Sequence, residues 1–138
     1  MFKKELLAIA LVTTGICTAA TVVVLKFIKK RTALVEQLIA LRDDLKLDCD
    51  LLESATDESP EKATCAADQG YLNAVAEGIL FVEASQPLFK ELDCKILDMK
   101  IRDLQAYIES FEAAIKQAEN YIIAIDAARA EMEAAHEE

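Results

Sequence analysis

Three glycines, two prolines and one histidine are all that 138 residues hold of the types that interrupt helices or shuttle protons near neutral pH. Gly15, Gly70, Gly78, Pro60 and Pro87 are scattered, and neither type occurs after Pro87. No Gly-rich phosphate-binding loop can be assembled from them. His136 stands alone near the C-terminus, so Ser-His-Asp and Cys-His arrangements lack a placed base. The four cysteines show no CxxC spacing, and a structural zinc site needs four converging ligands. Glu133-Ala-Ala-His136 matches the Glu-x-x-His element of di-iron bundles, but those sites need a second such element and two further carboxylates. These absences predict a protein with no enzymatic activity, metal, cofactor or small-molecule substrate.

Positive charge is scarce beyond the N-terminal segment. Residues 1–31 hold six Lys/Arg against Glu5, a net of +5, whereas the remainder holds nine basic and 24 acidic residues, a net of −15. An acidic domain of about 107 residues repels phosphate polyanions, which excludes nucleic acid as a partner.

One long apolar run is present. Leu6–Leu25, LLAIALVTTGICTAATVVVL, carries no charge over 20 positions and is flanked by Lys3 and Lys4 on one side and by Lys26, Lys29, Lys30 and Arg31 on the other. As a helix it reaches about 30 Å, the thickness of a bilayer's hydrocarbon core. The run continues past Thr18-Ala19-Ala20, the best cleavage site for a signal peptide, and this favours a retained single-pass anchor in the cell membrane. The slightly larger basic collar on the C-terminal side favours a cytoplasmic acidic domain. Gly15 and Ala19 form a small-xxx-small pair on which two spans could pack.

The domain that follows reads as all-α: a single N-terminal transmembrane helix continuing into an antiparallel helical hairpin or three-helix, coiled-coil-like domain with a long C-terminal helix. Residues 1–31 form the anchor with its basic collar, and residues 32–138 the acidic domain, with helices at about 32–54, 60–85 and 87–136. Leu34, Leu38, Leu41, Leu45 and Leu52 make a heptad seam broken by Asp48. Ser59 is placed to cap the second helix, with Pro60 at its first position. There Ala66, Gly70, Ala74 and Gly78 form a row of small residues beside the apolar Leu72, Val75, Ile79 and Val82. Pro87 marks the next break. From Leu97 and Ile101, the third helix carries Leu104, Ile108, Phe111, Ile115, Ala118, Ile122 and Ile125 at 4-3 spacing, with Met132 beyond.

Cys49 and Cys65 are equidistant from the centre of the Ser54–Ser59 loop. A hairpin turning there sets them level, as reduced thiols in the cytoplasm or a disulfide outside it. Cys94 continues the third seam and is expected in the core. A second helix ending near Ser85 leaves residues 113–136 overhanging with their apolar stripe uncovered. The expected function is a membrane-anchored structural or assembly protein. Leu104 through Ile125 and Met132 would contact a further copy or another helical protein, and the bilayer is the other partner. The alternative is a membrane-perturbing or envelope-bridging factor of lysis (spanin-like) or remodelling type.

Overall fold

A computed structural model describes residues 19–137, which contain three α-helices and no strand. Helix α1 spans Ala19–Ser54, α2 spans Ala66–Lys95 and α3 spans Ile101–Glu137. Short 3-10 turns at Ala55–Glu58 and Ile96–Asp98 follow α1 and α2. Arg31 on α1 touches the α2–α3 turn, and His136 at the end of α3 touches Asp68 at the start of α2. Helices α1 and α3 therefore run in the same direction with α2 antiparallel to both. Helix α3 packs on both neighbours, which touch each other far less.

The three seams explain the bundle. Leu38, Leu45 and Leu52 of α1 are buried, with Leu34 and Leu41 partly so. On α3, Leu104, Ile108, Phe111, Ala118 and Ile125 are buried, and Ile115, Ile122 and Met132 pack against them. The α2 seam runs Asp68, Tyr71, Val75, Gly78, Val82, Ser85, Phe89 and Leu92, alternating three and four without a break. Three stripes of one period meet in one core, as in a coiled-coil-like bundle.

Two expected boundaries move. Helix α2 begins at Ala66 rather than near Pro60, because the Ser59 hydroxyl turns back and donates to the Ala55 carbonyl at 3.1 Å. The helix then passes through Pro87 and ends at Lys95. A helix-interior proline costs about 3 kcal/mol, but Pro87 faces solvent while Leu92 beyond it is fully buried and Leu88 and Phe89 pack on the core. Each large apolar side chain removed from water returns about 1.5–3 kcal/mol, so continuing the helix wins. The break falls at residues 96–100, where Leu97 leaves the seam for solvent.

These shifts remove the overhang. Helix α2 has 30 residues, about 45 Å, and the turn and loop extend its cover along α3. The stripe from Leu104 to Met132 packs into the chain's own core. Cys94 is exposed, not in the core, because Leu92 is the last buried position of α2.

Candidate functional site

At one end of the bundle α1 runs past its neighbours. The Arg31 guanidinium donates from Nε to the Met99 carbonyl at 3.1 Å and from Nη2 to Ile96 and Leu97 carbonyls at 3.3 and 2.8 Å. It thereby gives donors to carbonyls of the 3-10 turn and loop that follow α2. Arg31 is thus a clamp on the α2–α3 turn. Of the expected basic collar, Lys26, Lys29 and Lys30 remain exposed. Residues 19–30 continue for about 18 Å beyond this level. On that projection the consecutive Val22, Val23 and Val24 are 44%, 65% and 49% exposed, and Phe27 is 55% exposed. Leu97, 83% exposed, lies in the turn at the same end.

Among the described residues no helix is long and apolar enough to cross a membrane. The expected span lies outside the described residues up to Thr18, so Gly15 and Cys17 carry no structural statement, and Ala19 is seen as the first residue of α1.

Mid-bundle, the weak contact between α1 and α2 leaves a groove of about 650 Å³ whose lining includes Lys46, Cys49, Gln86, Phe89 and Cys94. The Arg42–Asp93 ion pair, 2.8 Å, spans the two helices. Cys49 is buried beside residues 86 and 89, Cys65 is exposed at the head of α2, and both are free thiols. Residues 55–65 are taken up by the turn and loop, which moves the centre of the hairpin past position 57. Burial, with Glu53 and its neighbours adding repulsion, pushes the Cys49 thiol up to about 11.

The other end is closed by polar groups. Asp68 occupies the third position of α2 and is 1% exposed. Its Oδ2 accepts from the Thr64 backbone N–H at 2.9 Å and the Thr64 hydroxyl at 2.6 Å. Its Oδ1 lies 2.7 Å from His136 Nε2. The two Thr64 bonds, reinforced by His136, hold the Asp68 carboxyl well below the usual carboxylate range. An ionised carboxylate only accepts, so Nε2 carries the proton. Cys65 stands beside this pair. One ligand atom from each of Cys65, Asp68 and His136 lies within 4.8 Å of the others. Arg129 secures the same end by pairing with Glu58 at 2.7 Å and lying 5.9 Å over the Tyr71 ring, while the Tyr71 hydroxyl donates to Ala55.

This trio corrects the expectation that the chain's histidine has no converging partners. The di-iron element gains no such support, since Glu133 is exposed and outside the trio. No protein family, curated protein or solved structure matches this chain. A local signal for the trio did exist in the sequence. Asp68 sits on the heptad seam of α2, four residues after Thr64, and a carboxylate at a core position needs partners.

Proposed function

We propose that this chain is a membrane-anchored structural protein, a three-helix post joined to its bilayer anchor by an unbroken α1. The observation that carries this reading is the sequence of exposed valines at residues 22–24. Consecutive helical residues point about 100° apart, so three in a row present apolar surface around most of the circumference. A helix apolar all round belongs inside a protein core or a membrane. These valines have no core around them, and they are continuous with the uncharged run back to Leu6.

The other features of that end fit the same placement. Lys26, Lys29 and Lys30 stand where an anionic surface would meet the helix, each worth about 1 kcal/mol there. Leu97 faces the same side. The acidic bundle is repelled by anionic head groups and stands off the surface, with the Cys65–Asp68–His136 end farthest away. In this reading the bundle buries its own seams, so any helical partner binds elsewhere than along Leu104–Met132.

Fractionation of cells producing the full chain tests the proposal. The protein is expected to sediment with membranes, resist alkaline carbonate and dissolve in detergent. Gly15→Arg, costing about 2.5–3.5 kcal/mol at the centre of a span, should shift it to the supernatant. Release of the unaltered chain by carbonate alone overturns the anchor. Cys65 and Cys94 are exposed and report sidedness: an impermeant thiol reagent should label them in lysates and not in intact cells.

A further inference from the structure

The chain's one histidine comes from the last turn of α3 to meet a buried carboxylate of α2, and a thiol stands beside both. We propose that Cys65, Asp68 and His136 form a binding site for a divalent transition-metal ion, with zinc the favoured occupant, through Sγ, Oδ1 and Nε2. Thiolate, imidazole nitrogen and carboxylate oxygen together make a donor set that zinc takes and that magnesium and calcium, which prefer all-oxygen sites, do not. Three protein ligands leave a fourth tetrahedral position for water.

The geometry is close to what binding requires. Bonds of about 2.0–2.3 Å place tetrahedral ligand atoms about 3.3–3.7 Å apart. Here all three lie within 4.8 Å of one another, with Oδ1 and Nε2 at 2.7 Å. The carboxylate and imidazole need to open by about 0.6 Å and the sulfur to close in. Asp68 is the fixed member, because its second oxygen is held by Thr64 from both the backbone and the hydroxyl. Such bonds behind a ligand orient it toward the metal. Cys65 and His136 are exposed, so both can adjust and an ion can enter from solvent. The proton inventory is simple. The thiol releases one proton to solvent, and the imidazole gives up its Nε2 proton, to its own Nδ1 where that nitrogen is bare and otherwise to solvent, freeing the Nε2 lone pair for the ion. The carboxylate is already ionised. Bound metal would then fasten the end of α3 to the start of α2.

Cobalt(II) and zinc(II) titrations of the full chain test this, with the protein in detergent micelles, reduced and freed of metal by a chelator. One equivalent of cobalt should produce the near-ultraviolet absorption of a thiolate–cobalt bond and the visible bands of a tetrahedral ion, and zinc should displace it. Cys65→Ser should abolish the near-ultraviolet band, whereas Cys94→Ser should leave it. His136→Gln should weaken zinc binding more than tenfold, and Thr64→Val, which loosens Asp68 without removing a ligand, by about tenfold. Residues 65 and 136 are exposed, and circular dichroism of both variants should match the parent. A cobalt spectrum without the sulfur band overturns the proposal. So does a band that survives Cys65→Ser, or zinc affinity unchanged in His136→Gln, which would mark binding to the acidic surface at large.

Discussion

Two glycines of α2 and one aspartate of α1 show how differently single positions are used. A Cβ on Gly70 would meet nothing within 4 Å, whereas one on Gly78 would lie 3.2 Å from both Ile125 Cδ1 and Leu52 Cδ2. Gly78 is therefore the point where α2 approaches both neighbours, and Gly70 is merely a weak helical residue. Gly70→Ala should stabilise by about 0.5–1 kcal/mol. Gly78→Ala should gain less, and Gly78→Leu should lose about 1–3 kcal/mol through overpacking. Thermal melts of the three variants check the order. Asp48, the polar break in the α1 seam, is half-buried. Burial, with Glu119 and Asp44 adding repulsion, raises its pKa above the ordinary 3.8. A raised folded-state pKa means that folding takes up protons. The stabilising contribution of this group is complete below its unfolded value and is lost as pH rises through the folded one. Asp48→Asn should therefore raise the melting temperature at neutral pH, and the advantage should vanish in acid. An advantage that persists below pH 3.8 would show that the substitution acts by some route other than charge.

At the scale of the helix, Pro87 carries the main lesson. The leucine seam of α1 and the long stripe of α3 were legible because each is periodic and uninterrupted. The α2 seam has the same period, but Asp68, Gly78 and Ser85 dilute its apolar character, and Pro87 imitates a boundary. Tertiary burial of Leu92 overrode that local signal. The true break at residues 96–100 holds neither glycine nor proline and is bound by Arg31 from 65 to 68 residues away, so no local pattern announces it. Replacing Pro87 with Ala restores an N–H for the Glu83 carbonyl and should stabilise by up to about 3 kcal/mol. A denaturant midpoint that falls would mean that the proline ring itself helps to set Phe89 and Leu92 on the core. The polar trio was half legible: Asp68 on the α2 seam asks for partners, but His136 is 68 residues away, and only the antiparallel return of α2 and α3 brings the two together.

For the whole molecule, the deciding question is what the α3 stripe faces. Had it overhung the hairpin, charging it would separate partners and leave the fold intact. Ile125 is instead 3% exposed and its Cδ1 lies against the Gly78 backbone position, so a carboxylate there would be buried in an apolar core without a partner. That cost is several kcal/mol, comparable with the total stability of about 5–15 kcal/mol of a small domain. Ile125→Asp should therefore unfold or nearly unfold the bundle, seen as loss of the helical circular dichroism signal or a collapsed melting temperature. Ile122→Asp, at a half-buried position, should do less harm. On the proposed anchoring, both variants should still sediment with membranes, since the apolar run from Leu6 is untouched. A well-folded Ile125→Asp protein that differed from the parent only in its oligomeric state would return the stripe to an intermolecular role. Loss of the fold in Ile125→Asp makes α3 the central pillar of the bundle, the helix on which both neighbours pack.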